Sequence, residues 1–129
     1  MIIALRTDKP RAEVYILDKG VVLSGYEWEA HRALAETLFG VIGQRLTEHG
    51  VRLEDVTGII CYEGPGSYTG LRIGMSVANA LAYSYGIPVV AAGGEHWQQE
   101  GLRLIAAKPD NKLALPVYGG PAFTSAPKK

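Results

Sequence analysis

The sequence predicts an α/β fold, a mixed five-stranded sheet with helices on its faces, and three observations carry that prediction. The first quarter of the chain holds three short runs of strand formers separated by turn residues. The apolar spacing then switches to a helical period, and two later runs, "VTGIICY" and "PVVAA", are apolar throughout and each is reached through a segment of helix length. Strands joined by tight turns must be antiparallel neighbours, whereas strands joined through helices run parallel with the helices on the sheet faces.

In chain order, the first three strands are expected at Ile2 to Arg6, Glu13 to Leu17 and Val21 to Tyr26, separated by "TDKPRA" and "DKG". The second separator is a hairpin signal, because Asp starts turns and Gly accepts positive φ. From Glu29 to Gly50, Leu34, Leu38, Val41, Ile42 and Leu46 follow one another at steps of four, three, one and four, one face of an amphipathic helix that Gly50 stops. "VTGIICY" reads as a strand covered on both faces. A second helix is expected from Gly70 to Tyr85, closed by Gly86 with Pro88 beyond, and "PVVAA" is the fifth strand.

The order βββαβαβ is that of a ribonuclease-H-like domain, the half-unit doubled in the actin, hexokinase and Hsp70 ATPases, and architecture of this kind leaves function open. Beyond Gly93 the expectations are a short helix near Glu95 to Glu100 and strands at Leu102 to Ala106 and Leu113 to Tyr118. The organisation expected is an N-terminal lobe over 1–97, then a vestigial second lobe and extended basic tail over 98–129.

A chain of 129 residues with a hydrophobic fraction of 47% fits one globular domain and needs no disulfide to fold. Its single cysteine, Cys61, cannot form a bridge within the chain, which fits a reducing compartment. No apolar run approaches the roughly 20 residues of a membrane span, and the first residues make no signal-peptide core, so a cytoplasmic protein with no membrane partner is expected. Thirteen basic and thirteen acidic residues give zero formal net charge, against a domain that grips nucleic acid by itself. The one local bias is 101–129, where Arg103, Lys108, Lys112, Lys128 and Lys129 face only Asp110, either a solvated terminus or an RNA-contacting arm.

Three readings of "EGPGSYTGLRIG", residues 63 to 74, stand side by side. In the first, Gly64, Gly66, Ser67 and Thr69 cradle a phosphate at a helix N-terminus. Yet no Lys-Ser/Thr pair follows the last glycine, and Gly64, Gly66 and Gly70 miss the dinucleotide spacing. In the second, Gly64-Pro65-Gly66 only turns the chain while Ser67 or Thr69 caps the helix. The third takes Gly70, Gly74, Ala78 and Ala82, a strip of small residues at every fourth position, as a surface for close helix packing, against the protein's own sheet or against a partner.

"GPGSYTGLRIG", with "GIICYE" before it and "ALAYSYGIPVVAAGGEHW" after it, closely resembles the signature of the TsaB (YeaZ) family. The likeness runs to about residue 97; most of a second lobe is missing, although "LPVYGGP" resembles the sequence with which such proteins often end. The resemblance implies a non-catalytic homologue of the enzyme TsaD, bound to it through paired first-lobe helices, in the complex that installs threonylcarbamoyl on N6 of adenosine 37 of tRNA. TsaE would join through the complex, and tRNA would be met indirectly. It also implies a partner-binding face of Leu34, Leu38, Ile42, Gly70, Leu71, Gly74, Met75, Ala78 and Ala82, subject to which side faces the sheet, with Arg72 paired across the interface or solvated. A homodimer through the same face is the alternative state of the isolated chain. On this basis Gly74→Leu should leave the fold intact and abolish partner binding.

The sequence departs from the superfold where its first strand normally ends in a metal-positioning aspartate: "LRTDK" puts Arg6 there, with Asp8 two residues on. A cation cannot coordinate a cation, so ATP hydrolysis, metal-dependent nuclease chemistry and ATP as a cofactor are not expected. His31, His49 and His96 show no metal-ligand spacing, Ser67 has no identifiable general base, and Glu63 is the only acid beside the glycine turn. The rival reading is a small nucleotide- or phosphate-binding enzyme using the Gly64 to Gly70 loop.

Overall fold

The structure, a computed structural model, describes residues 1–30, 33–66 and 68–107. Three strands, β1 (Ile2–Arg6), β2 (Arg11–Asp18) and β3 (Val21–Glu29), precede helix α1 (Leu34–Glu48) and a 3-10 turn at Leu53–Asp55. β4 (Gly58–Tyr62), α2 (Tyr68–Tyr85), β5 (Val89–Ala92) and α3 (Trp97–Ala106) complete it. The sheet order is β3-β2-β1-β4-β5. β1 lies between antiparallel β2, with Ala4 across from Tyr15, and parallel β4, with Ala4 across from Ile60. β4 and β5 are parallel, so both helix-borne connections are the crossovers that the sequence predicts. The β2–β3 turn uses Lys19 at φ 53° and Gly20 at φ 81°, a two-residue connection of the type whose twist matches a hairpin.

The central strands alternate between two cores, because successive side chains leave opposite faces of a strand. Ile3, Leu5, Val14, Ile16, Ile59 and Cys61 meet Leu38, Ile42, Met75 and Ala78 of α1 and α2 on one face. Ala4, Ile60, Tyr62 and Val90 meet Trp97 on the other. Cys61 is completely buried, and burial pushes its thiol up to about 12, so it is a packing residue rather than a nucleophile. No helix of the described residues is long and apolar enough to cross a membrane.

Two expectations for the end of the chain are corrected. Leu102 to Ala106 is helical, the second half of α3, because Trp97, Gly101 and Ile105 recur every fourth residue along the side that meets the sheet. A Cβ on Gly101 would overlap the side chain of Ile60, so glycine is what lets α3 lie close to β4. The expected division after residue 97 also fails, since α3 begins there and covers β4 and β5 of the same sheet. The expected strand at Leu113 to Tyr118 and the basic tail lie outside the described residues.

Candidate functional site

The helix pair is built on an inner and an outer side, and the residues expected at a partner interface lie on the inner one. Leu34, Leu38 and Ile42 are buried against the sheet, as are Leu71, Met75, Ala78 and Ala82. Gly74 is buried too. A Cβ added there would overlap Thr7 Oγ1, whose hydroxyl donates a 2.8 Å hydrogen bond to the Gly70 carbonyl. The small strip is therefore what brings α2 down onto the end of β1. This corrects the expected contact surface and the expectation for Gly74→Leu, which would split the protein's own packing. Of that set only Arg72 is exposed, and Gly70 is half-buried.

The outer side carries what the inner strip hid. Phe39 on α1 is 53% exposed. Beside it in sequence stand Gly40 and Gly43, where an added Cβ would meet nothing within 4 Å. On α2, Ile73 and Val77 are half-buried and Ala80 is exposed. The signal for this face was in the sequence: Gly40 and Gly43 lie off the Leu34-Leu38-Ile42-Leu46 line, and glycine inside a helix costs about 1 kcal/mol against alanine.

The glycine loop is closed from within. Gly64 takes φ 103° and Gly66 packs against Asp8 so tightly that a Cβ would overlap the Asp8 Cβ, with the carboxylate Oδ2 3.1 Å away. Asp8 is itself held by Arg6, whose Nε donates at 2.8 Å and whose second nitrogen lies 3.3 Å from the other oxygen. Thr69 lines a cleft of about 170 Å³ with Thr7, Lys9, Ala30, Leu34 and Ile73, smaller than the roughly 300 Å³ at which ligand sites begin. Ser67 lies outside the described residues.

Around Arg6 the strand ends form one polar network that sequence reading missed apart from Arg6 and Asp8. The guanidinium stacks 3.9 Å over the Tyr62 ring. Partial burial works against its charge, but the Asp8 hydrogen bond and charge hold its pKa above the ordinary value. Glu13 is buried; that opposes its charge, yet hydrogen bonds from Tyr15 at 2.5 Å and Lys9 at 2.9 Å bring its pKa below the usual range. Burial and then the Glu13 contact push the Tyr15 hydroxyl up. Glu63, at the head of the loop, is pushed up by burial and by the charge of Glu100. Arg6 and Asp8 neutralise each other, as do Lys9 and Glu13, and Arg6 stands where the superfold would place a metal-binding acid.

The family described as "TsaD: tRNA N6-adenosine threonylcarbamoyltransferase" matches residues 28–94. Among curated relatives, the tRNA N6-adenosine threonylcarbamoyltransferase of Geotalea uraniireducens strain Rf4 is 38% identical over 93 residues, covering 70% of this chain and 26% of that protein. The tRNA threonylcarbamoyladenosine biosynthesis protein TsaB of Bacillus subtilis strain 168 is 28% identical over 104 residues, 74% of this chain and 45% of its own length. Among solved structures, YeaZ from Pseudomonas aeruginosa superposes with a TM-score of 0.66 at 33% identity, over 71% of this chain and 43% of that one. The chain thus spans less than half the length of each of these relatives.

Proposed function

This chain belongs to the TsaB (YeaZ) family, and from that premise we propose that it is a non-catalytic scaffold of tRNA N6-threonylcarbamoyladenosine formation that docks on a TsaD-type enzyme. The observation that carries the proposal is the outer side of the helix pair, where Phe39 stands exposed beside two glycines that leave open space. A partner helix fits such a surface because the interaxial distance is set by the side chains at the contact. Phe39 supplies an aromatic anchor of the kind that dominates binding energy, and Gly40 and Gly43 supply the close approach.

The chain brings no chemistry of its own to the reaction. Arg6 neutralises Asp8, and Asp8 packs directly against Gly66 of the glycine loop. Both features argue against the nucleotide-binding alternative and against ATP as a cofactor. Binding would instead favour the enzyme's productive conformer by differential affinity for it. TsaE and tRNA would meet this chain only through the complex.

The test is co-purification with TsaD from the same organism, followed by threonylcarbamoyl transfer to tRNA with and without this chain. A stable complex and activity that depends on the chain are expected. A TsaD that works equally well alone, with no complex formed, overturns the proposal.

A further inference from the structure

β3 is one edge of the sheet. Its first three residues, Val21, Val22 and Leu23, are 60%, 48% and 42% exposed, the longest run of large hydrophobic residues in solvent among the described residues. Val21 lies across from Asp18 and Val22 across from Leu17, so the two side chains leave opposite faces of the sheet. A cover that reaches both must run along the edge, where β3 also presents backbone N–H and C=O groups that β2 does not take. Val21–Glu29 holds neither lysine nor proline, residues that usually blunt an edge. Leu23 is the extra residue of a bulge, between Val22 across from Leu17 and Ser24 across from Ile16, so the stretch open to pairing is short and lies next to the hairpin turn.

We propose that the occupant of this edge is the chain's own segment 113–118, laid beside the start of β3 as a further strand. The place where α3 ends selects it. Ile105, in the last turn of α3, and Ile2 both crowd Gly58: a Cβ there would overlap Ile105 Cδ1 and stand 3.1 Å from Ile2 Cδ1. Ile2 lies across from Leu17, and Leu17 across from Val22. The chain thus leaves α3 at the end of the sheet that holds the exposed run, with β3 two strands from β1. Neighbouring strands are about 4.8 Å apart, so the distance across is about 10 Å, while residues 108–112 span up to about 17 Å when extended. Residues 113–118 read LALPVY, the one apolar run after Ala107. Entering at the hairpin end, the segment runs in the direction of β3. Pro116 then falls on an outermost strand, the place in a sheet that accepts proline, and it blunts the edge that β3 leaves open. A short tether keeps the segment at high local concentration, so docking needs no second molecule. The edge of β3 and the outer side of the helix pair are different surfaces, so this contact does not depend on docking to TsaD.

Backbone amide exchange of the full chain, followed by NMR, tests this against the double variant Leu115→Asp, Val117→Asp, which alters only residues beyond α3. In the wild type, the amides between Val21 and Ser24 that point away from β2 should exchange at least about tenfold more slowly than in the double variant, whatever the protein concentration. Cross-linking gives a second readout. Leu23→Cys with Val117→Cys should close an intramolecular disulfide faster than Tyr83→Cys with Val117→Cys, since Tyr83 is 90% exposed on α2 but lies off the β3 edge, while buried Cys61 stays out of the reaction. Equal exchange in the wild type and the double variant overturns the proposal. So does protection that fades on dilution, the mark of a second copy on the edge, or a Leu23→Cys pair that closes no faster than the Tyr83→Cys pair.

Discussion

Gly74→Ala decides whether the small strip of α2 serves this fold or a partner. Alanine in place of a helical glycine normally gains about 1 kcal/mol. Here the new methyl overlaps the Thr7 side chain, whose Cγ2 and Cβ stand 3.1 and 3.2 Å from the position it would take. Thr7 is buried, so it cannot swing into solvent, and turning it gives up the 2.8 Å bond to the Gly70 carbonyl. Overpacking of a tight core costs about 1–3 kcal/mol, and a lost internal hydrogen bond about 1 more. The net expectation is a loss of about 1–3 kcal/mol, a fall of several degrees in Tm for a domain of this size. Urea titration of wild type, Gly74→Ala, Thr7→Ala and the double variant measures it. In the double variant the methyl fits the space that Thr7 vacates, so a coupling energy of at least about 1 kcal/mol is expected between the sites. A stabilised Gly74→Ala with additive double-variant energetics would refute the inward placement and return the strip to the partner surface.

Phe39→Asp should leave urea and thermal unfolding nearly unchanged and weaken binding to TsaD at least about 30-fold by calorimetry, the loss of one aromatic anchor. Titration of Mg-ATP into the isolated chain should give no binding heat, in Asp8→Ala as in wild type; tight binding by wild type would reinstate the nucleotide reading. Glu13→Gln tests the strand-end network by pH. The folded Glu13 pKa lies below the ordinary 4.5, so its stabilisation is present above that value and is lost as pH falls through the folded one. The stability gap between wild type and Glu13→Gln should therefore be full at neutral pH and shrink on acidification below about 4.5; a gap constant with pH would remove the carboxylate from the network.

Periodicity and turn chemistry made the succession of elements and both helix-borne crossovers legible, because each depends on residues close together in the chain. β1 and the Lys19–Gly20 hairpin came out at their observed places for that reason. What failed depended on three-dimensional placement. The helical half of α3 was hidden by a β-like run, "LRLIA", whose neighbours Trp97 and Gly101 reveal their helical spacing only when read with Ile105. Leu34, Leu38 and Ile42 were visible as one face of a helix, but amphipathic spacing says only that a face is covered, and the sheet rather than a partner covers it. Gly66 and Asp8 lie 58 positions apart, and no local pattern reports that the acid fills the glycine's space.

Glycines make the division between inner and outer sides measurable. Inside a helix each costs about 1 kcal/mol, so a folded chain that keeps one must recover that free energy somewhere. Gly74 and Gly101 recover it within the monomer, since Thr7 and Ile60 occupy the space that a Cβ would take. Gly40 and Gly43 do not: both sit on α1 with open space around them, so the monomer carries roughly 2 kcal/mol of helix penalty with no contact in return. A helix approaching the outer side is the contact that would offset it. Gly40→Ala and Gly43→Ala should then each stabilise the isolated chain by about 0.5–1 kcal/mol in urea titration while weakening TsaD binding, opposite in sign to Gly74→Ala. The two readouts must move apart for the outer side to be the docking surface. If alanine at both positions stabilises the chain and leaves TsaD affinity untouched, the enzyme binds elsewhere, and the open glycines of α1 have no role in the complex.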